Sequence, residues 1–347
     1  MENRVWRLYR GGMLLDALHG RPGADGHFPE DWLASTVEAL NPDRPGRPAH
    51  EGLSEVLLPD GGTAYLRDLI DAPFHLLAKF LDSAERLRLQ VHPSRADAKR
   101  LFGSEHGKTE AWYILDTRVI DGEAPYVLMG FKEDVTPAKL RALFEAQDAA
   151  GMMSLMHRIS VKPGEVWLVE GGMPHAIGPG CLLLEIQEPT DYSISLETRD
   201  GSGNAVPEEM VHYGLGFDRM FECFRYTKLR LEALLAACRL EPTHLGEGYE
   251  ELIPYSRTPC FSLRRRSVNG EAQVSPAGRA CVLAVTKGGG TVGGIPVRRG
   301  DCLFVPADEG GYMITGDGLE VLECLPPVLK QTHGRLWAAA PTGVRIE

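Results

Sequence analysis

The feature that most restricts the fold of this chain is an internal repeat of one short β module. Each copy has a basic residue, a glycine and an acidic residue, then an apolar strand, a Gly-x-Gly turn and a second strand that carries a glutamate. The matching parts are 162–169 with 299–306, 178–180 with 316–318, and Glu185 with Glu323. Two copies of one turn-and-strand module predict two related β-barrels within a single chain.

The two copies differ where the first carries a histidine. His175 lies 11 residues after Gly164, and the same offset from Gly300 reaches Gly311. A glycine has no side chain that binds a metal ion. We therefore expect one barrel that holds a functional site and a second barrel that supports it.

The rest of the chain favours a mainly β architecture with helical additions. Its 347 residues include 39 glycines and 24 prolines, and short strands recur between turns, as in a sandwich or barrel. Helices are predicted over about 68–80, 93–106, 136–157 and 229–240. We predict an N-terminal barrel domain over 1–240, which contains these helices, and a C-terminal, metal-free barrel over 241–347.

The composition excludes several classes of protein. With 37 lysines and arginines against 48 aspartates and glutamates, the net charge is −11, which gives no general attraction to nucleic acids or anionic membranes. No apolar run approaches the roughly 18 residues of a membrane span, and no signal-peptide core follows Met1. All seven cysteines lie at or after Cys181 without a C-x-x-C pair, so reduced thiols in a cytoplasmic protein are expected.

A cluster of nitrogen and oxygen side chains is the strongest candidate for chemistry. Gln90 and His92 share one face of a predicted strand, and Arg88 lies on that same face. Glu110 and His175 complete a set of nitrogen and oxygen ligands without sulfur, and His175 lies in a glycine- and proline-rich turn between strands. Such a set suits a catalytic Zn²⁺, although Mn²⁺, Fe²⁺ or Ni²⁺ would also fit.

Two long segments around these residues resemble one known family. The runs LQVHPSRADAKRLFGSEHGKTEAWYIL (89–115) and KPGEVWLVEGGMPHAIGPGCLLLEIQ (162–187) are similar to the signatures of class I mannose-6-phosphate isomerases, a zinc-dependent cupin family. Weaker similarities lie at 10–12, 29–35 and 300–307. The resemblance implies a cupin, or jelly-roll, fold for the two barrels.

The resemblance also implies a metal site and a reaction. One Zn²⁺ per chain would have four ligands, which are Gln90, His92, Glu110 and His175. The family interconverts mannose 6-phosphate and fructose 6-phosphate through a cis-enediol, so a small-molecule sugar phosphate is the expected substrate. Lys108 would lie in the sugar pocket, where it and the metal would stabilise the enediolate. Either Glu185 or a metal-bound water would transfer the proton.

Two positions depart from the family pattern, and both belong to the substrate-binding part of the pocket. A serine that contacts the phosphate in the family is replaced by Arg88, and an arginine ten residues after the position of Glu185 is replaced by Ser195. We hypothesise that Arg88 supplies the guanidinium that position 195 has lost, with Arg199 as the alternative source. The rival interpretation is a pocket rebuilt for another sugar, without phosphate.

Two other functions therefore stay open beside isomerisation of a hexose 6-phosphate. One is the isomerisation of an unphosphorylated or acidic sugar, and the other is sugar binding or regulation without turnover. Retention of Lys108 and Glu185 favours an enzyme, whereas the loss of arginine at Ser195 favours binding. A homo-oligomer is compatible with the sequence, but no segment identifies an interface.

Overall fold

The computed structural model describes residues 2–58, 60–275 and 278–328, together with the backbone of 345–346. The predicted C-terminal barrel over 241–347 therefore lies outside the described residues in its part after 328, apart from the backbone of 345–346. The strands are β1 (Arg4–Val5), β2 (Glu30–Leu33), β3 (Glu55–Leu57), β4 (Thr63–Tyr65), β5 (Leu77–Ser83), β6 (Gln90–Val91), β7 (Glu110–Thr117), β8 (Tyr126–Phe131), β9 (Met156–Ser160), β10 (Val166–Val169), β11 (His175–Ile177), β12 (Cys181–Gln187), β13 (Ile194–Ser195), β14 (Arg239–Leu240), β15 (Thr243–Gly246), β16 (Tyr249–Ile253), β17 (Ser262–Val274), β18 (Cys281–Lys287), β19 (Gly289–Val292), β20 (Ile295–Arg298), β21 (Cys302–Val305), β22 (Tyr312–Leu325) and β23 (Arg345–Ile346). The helices are α1 (Met13–Leu18), α2 (Leu66–Leu69), α3 (Arg95–Phe102), α4 (Pro137–Glu145), α5 (Ala149–Ser154), α6 (Glu209–His212), α7 (Gly216–Arg219), a 3₁₀ turn (Met220–Cys223) and α8 (Leu231–Cys238).

Most strands form three antiparallel sheets, which confirms the prediction of a mainly β fold. The first sheet has the order β1-β2-β5-β12-β7-β10-β14, and the second has the order β13-β6-β11-β8-β9. The third sheet has the order β15-β16-β17-β22-β18-β21-β23, with the β19–β20 hairpin beside β22. β3 and β4 form a separate hairpin.

The internal repeat is confirmed as a repeated strand order. The order β5-β12-β7-β10 in the first sheet corresponds to β17-β22-β18-β21 in the third sheet. Gly164 and Gly300 occupy the matching turns with the same φ of 92°, which an L side chain rarely adopts. Glu185 and Glu323 lie on the corresponding strands β12 and β22. The two copies of the module therefore fold alike.

The predicted helix over 68–80 is wrong for most of its length. Helix α2 ends at Leu69, and β5 occupies Leu77–Ser83. Every residue of β5 is buried, so the strand lacks the alternation of polar and apolar residues by which a half-buried strand is recognised.

The helix predicted over 93–106 is confirmed in its central part. Helix α3 begins after Ser94, whose side chain accepts a hydrogen bond from the backbone N–H of Asp97. It ends at Gly103, which adopts a left-handed conformation with a φ of 67°. The polar cap and the terminal glycine together fix both ends of this helix.

The remaining two helical predictions are too long. The segment 136–157 contains α4 and α5, separated by a turn in which Gln147 has a φ of 47°, and its last residues belong to β9. The segment 229–240 contains α8, but its last residues form β14. The turn and the strand pairings interrupt patterns that look continuous in the sequence.

The two halves of the chain share one hydrophobic core. Buried side chains of the first and third sheets belong to the same cluster, and the Phe74 ring packs edge-on against Phe304 with 5.3 Å between centroids. The first sheet ends at Leu240 and the third begins at Thr243. The division into domains at 240 remains a prediction, since the core continues across that position.

The cysteines and the helices bear on two further predictions. All seven cysteines are buried and form no disulfide, as the reduced-thiol prediction requires. Among the helices of the described segments, none combines the length and the apolar character that a membrane crossing needs.

Candidate metal centre

The two N-terminal sheets bring the candidate ligands together from opposite sides. Gln90 of β6 and His175 of β11 are direct partners in one antiparallel ladder. His92 follows β6 immediately, before Pro93, which has no N–H to extend the ladder. Glu110 is the first residue of β7 in the other sheet. The four candidate side chains therefore meet in the space between the two sheets.

The distances in this cluster allow one ion to contact several ligands. His92 Nε2 lies 3.0 Å from Glu110 Oε2, and His175 Nε2 lies 3.4 Å from Glu110 Oε1. Ligand atoms of these three residues lie within 4.8 Å of one another. The side-chain amide of Gln90 is 3.3 Å from His175 Nε2. The two histidines and Glu110 are at most 2% exposed, so bulk water does not compete for these atoms.

Hydrogen bonds hold both histidines in the tautomer that a metal ion requires. His92 Nδ1 lies 2.8 Å from the carbonyl oxygen of Tyr192, and His175 Nδ1 lies 2.8 Å from that of Met173. Because a carbonyl oxygen only accepts, each Nδ1 carries the proton and each Nε2 presents a lone pair. Burial lowers the pKa of His92 to about 3 and also lowers the pKa of His175. Both rings are therefore neutral at pH 7 and available as ligands.

Glu110 supplies the negative charge of the cluster. Burial alone would raise its pKa, but the ammonium group of Lys108, 3.1 Å from Glu110 Oε2, holds that pKa well below its usual range. Its Oε2 atom is buried and receives no well-aligned hydrogen bond from the residues that the structure describes. Two imidazole nitrogens, a carboxylate and an amide match the ligands of a divalent metal such as Zn²⁺. The donor set therefore fits a divalent cation, which would bind Glu110 through its carboxylate.

Two buried lysines connect this cluster to Glu185. Lys108 Nζ lies 3.0 Å from His92 Nε2 and 3.1 Å from Glu110 Oε2. It also lies 3.9 Å from Glu185 Oε1, and Lys79 Nζ lies 3.2 Å from that same oxygen. Burial raises the pKa of Glu185 and Glu110 raises it further, while the two lysines lower it. Glu185 is therefore a carboxyl group with a pKa moved towards neutrality, as proton transfer requires.

A cleft open to solvent ends at this cluster. Gln90, Lys108 and Glu185 form part of the cleft wall, so a small molecule in the cleft would contact one candidate metal ligand and the buried carboxyl group of Glu185 together.

Sequence reasoning missed several polar residues of the cleft wall, among them Arg7, Glu30, Lys79, Asp191 and Tyr213. Lys79 had a detectable signal, because it is the single charged residue in the apolar run 76–81. Arg7 and Asp191 had none: their charged groups lie 3.0 Å apart, although 184 positions separate them in the chain. Only the folded chain reveals this pair.

The two departures from the family pattern lie side by side. Ser195 is directly opposite Gln90 in the β6–β13 ladder, and is therefore close to Arg88 on the same face. Ser195 is buried, and its hydroxyl donates to a backbone carbonyl at 2.9 Å. Arg88 lines the cleft, whereas Arg199 is exposed and donates to the carbonyl oxygen of Gly203 at 2.8 Å. The fold brings Arg88 to the cleft and directs Arg199 away from it.

Comparisons with curated proteins identify relatives of similar length. No family model matches the chain. Mannose-6-phosphate isomerase ManA of Bacillus subtilis is 28% identical over 251 residues, which are 70% of this chain and 72% of that protein. A mannose-6-phosphate isomerase of Streptococcus mutans is 28% identical over 254 residues, which are 72% of this chain and 73% of that protein.

Solved structures share the fold over nearly the whole chain. The mannose 6-phosphate isomerase of Bacillus subtilis superposes with a TM-score of 0.71 at 21% identity, over 93% of this chain and 98% of that chain. A zinc-bound mannose 6-phosphate isomerase superposes with a TM-score of 0.68 at 14% identity, over 94% of this chain and 98% of that chain. The predicted cupin-type fold is thus confirmed, and in both sequence and fold the chain is a relative of proteins named mannose-6-phosphate isomerase.

Proposed function

We propose that this protein is a metal-dependent aldose–ketose isomerase that interconverts mannose 6-phosphate and fructose 6-phosphate. The observation that carries the proposal is the position of Lys108, whose Nζ lies 3.1 Å from Glu110 and 3.9 Å from Glu185. Lys108 thereby joins the candidate metal ligands to a buried carboxyl group at one end of the cleft. The names of the curated relatives support the same activity.

The proposal includes one Zn²⁺ per chain. His92 and His175 would hold the ion through Nε2, Glu110 through its carboxylate, and Gln90 through its amide oxygen once the amide is turned. When bound, the ion supplies a Lewis acid that stabilises negative charge on the sugar oxygens. The tautomers of the two histidines and the Glu110 carboxylate beside both Nε2 atoms support this assignment, as does a zinc-bound relative in fold.

Glu185 is the proposed proton carrier. Isomerisation requires a group that takes the proton from C2 and returns it to C1, with a cis-enediol between the two steps. Burial and the adjacent Glu110 raise the pKa of Glu185, so its acid and carboxylate forms are both accessible near neutral pH. Lys108 is placed to stabilise the negative charge that develops on the enediol oxygens.

Arg88 is the proposed contact for the anionic end of the substrate. Each of the other cationic side chains of the cleft wall pairs with a carboxylate, and these are Arg7, Lys79, Arg86 and Lys108. Arg88 has no carboxylate within ion-pair distance in the described part of the chain, and its hydrogen bond goes to a backbone carbonyl at 3.4 Å. An unpaired guanidinium suits a phosphate group. This supports a substrate-binding role for Arg88 beside Ser195, where the family arginine is missing.

A proton NMR time course in D₂O tests the proposal. Zinc-loaded protein is incubated with mannose 6-phosphate, and a parallel sample contains unphosphorylated mannose. We expect conversion of the phosphorylated sugar, loss of that conversion in Glu185→Gln, and normal conversion in the exposed control Glu232→Gln. Conversion of mannose alone would mean an isomerase of unphosphorylated sugars. No conversion, with the metal verified as bound, would leave the sugar-binding function.

A further inference from the structure

Two side chains of the cleft wall have hydroxyl groups that form no hydrogen bond with any residue the structure describes. Tyr213 and Ser193 line the cleft together with Arg88. Within the described ranges, neither hydroxyl forms a hydrogen bond with another residue. Both residues are half-buried, as is Tyr9 in the same cleft, whose hydroxyl donates to Glu30 at 2.6 Å. The hydroxyls of Tyr213 and Ser193 are therefore available to a ligand.

Three separate segments deliver these groups to the cleft. Arg88 lies just before β6, and Ser193 lies just before β13, the strand that pairs with β6. Tyr213 follows the last residue of α6. Donors that come from three segments can approach one ligand group from different directions, which a single strand cannot provide.

The backbone at Tyr213 is strained, and that strain places its side chain. The φ of Tyr213 is 48°, in the left-handed region that a bulky residue rarely adopts. A glycine or an asparagine would make this turn at lower cost. The ring also has an edge contact with Tyr192 at 6.1 Å between centroids. The chain therefore has a tyrosine at a position where the turn conformation alone would favour glycine or asparagine.

The charges around these hydroxyls favour an anionic ligand. Asp191, the acidic group with the largest effect on Tyr213, is already paired with Arg7 at 3.0 Å. Arg88 lines the cleft and has no carboxylate within ion-pair distance among the described residues, although Asp200 also belongs to the cleft wall. Arg86, by contrast, is paired with Glu197 at 2.7 Å. The positive charge of Arg88 thus remains to be balanced by a ligand.

We propose that Tyr213 and Ser193 act with Arg88 to bind the phosphate group of the substrate, and that Tyr213 determines the preference for phosphorylated over unphosphorylated sugars. The identity of the sugar rests on the proposed function, whereas the anion site does not. A phosphate monoester offers three terminal oxygens in different directions to one guanidinium and two hydroxyls. A carboxylate offers two oxygens in one plane and matches this set less well.

Inorganic phosphate is a probe that separates binding from turnover. Its dissociation constant is measured by calorimetry for the zinc-loaded wild type, Tyr213→Phe and Ser193→Ala. Tyr65→Phe is the matched control, because Tyr65 lies on β4 outside the cleft and its hydroxyl also lacks a hydrogen bond within the described ranges. We expect phosphate to bind about five- to tenfold more weakly to each cleft variant and unchanged to the control.

Steady-state kinetics distinguish a phosphate-binding role of Tyr213 from a merely structural one, because the two roles change KM and kcat differently. We expect Tyr213→Phe to raise KM for mannose 6-phosphate by about the same factor while kcat stays within about twofold of the wild type. Any turnover of unphosphorylated mannose would be unaffected. A purely structural role for Tyr213 would instead lower kcat for both sugars and lower the melting temperature.

The outcomes distinguish this inference from the proposed function. Unchanged phosphate binding in both cleft variants, or no binding to the wild type, would overturn the inference even if the enzyme isomerises mannose 6-phosphate. Weaker binding in the variants of a protein that does not isomerise the sugar would overturn the function and leave the anion site intact. Tighter binding of glucuronate than of phosphate would overturn the assignment to phosphate.

Discussion

Lys79 and Glu185 face each other directly across β5 and β12, and Lys79 Nζ lies 3.2 Å from Glu185 Oε1. The same ammonium group lies 3.4 Å from Glu30 Oε2, so two buried carboxylates share it. Burial lowers the pKa of Lys79, but Glu185 and Glu30 outweigh burial and raise it. Lys79 is therefore charged at neutral pH and favours the ionised form of Glu185.

Replacing Lys79 with glutamine is expected to shift the acidic limb of the pH–rate profile to higher pH. Lys79 lowers the pKa of Glu185, so its removal lets burial and Glu110 raise that pKa further. If the carboxylate is the base, a smaller fraction is ionised at pH 7, so kcat/KM falls about tenfold there and recovers as the pH rises. The measurement is kcat/KM against pH, with the exposed Lys228→Gln as control. An acidic limb at its original pH in Lys79→Gln would contradict this role.

Loss of His175 is expected to remove the metal and the activity together. His175→Ala deletes one of two neutral imidazole ligands, so bound zinc falls below one per chain and kcat/KM falls by at least about 1,000-fold. A chelator should produce the same loss in the wild type, lower its melting temperature and be reversed by added zinc. Metal analysis and thermal unfolding check both effects. The exposed His244→Ala should keep its zinc, and full zinc content in His175→Ala would refute the ligand assignment.

The repeated β module could be predicted from the sequence because its turns require particular residue types at fixed positions. The glycine before each module strand has the same φ of 92°, and this conformation requires the residue type that the sequence shows at Gly164 and Gly300. β5 could not be predicted, because Leu77–Ser83 is buried on both faces and loses the period of two. Its neighbours β2 and β12 come from distant parts of the chain. A local sequence pattern cannot reveal these strand pairings.

The candidate metal ligands could be predicted for a similar reason, whereas the charged wall of the cleft could not. Gln90 and His92 lie two positions apart near one strand, a spacing that places both side chains on one face. Arg7 meets Asp191 only because β1 pairs with β2 at the edge of the first sheet and brings the N-terminal segment over the cleft. Such a contact depends on strand order, and no short motif encodes it.

Truncation of Phe304 is expected to destabilise both halves of the chain together. The ring packs against Phe74 of the other half at 5.3 Å, within a core cluster that contains side chains from the first and third sheets. Phe304→Ala should lower the free energy of unfolding by about 3–5 kcal/mol, and unfolding should remain a single transition. Chemical denaturation followed by fluorescence and circular dichroism measures both. The exposed Val119→Ala should change little, whereas two separate transitions would show that the halves unfold independently.

Removal of the unpaired guanidinium at Arg88 is expected to weaken the binding of phosphorylated substrate without weakening the fold. A charged hydrogen bond contributes about 1.5–3 kcal/mol, so Arg88→Ser should raise KM for mannose 6-phosphate by about 10- to 100-fold. The melting temperature should stay nearly constant, because the half-buried Arg88 forms no ion pair with the described residues and its hydrogen bond to a backbone carbonyl is long, at 3.4 Å. Initial rates and thermal unfolding are compared with those of Arg219→Ser, an exposed control whose side chain is 53% exposed.

A double variant tests whether Arg88 replaces the arginine that is missing at Ser195. The two positions lie on one face of the β6–β13 ladder, so we expect an arginine at position 195 to reach the part of the cleft that Arg88 lines. Arg88→Ser combined with Ser195→Arg should therefore recover at least part of the kcat/KM that Arg88→Ser alone loses. Full turnover by Arg88→Ser on every substrate of the wild type would exclude a relocated arginine. A double variant no better than Arg88→Ser would mean that the two positions serve different groups of the substrate.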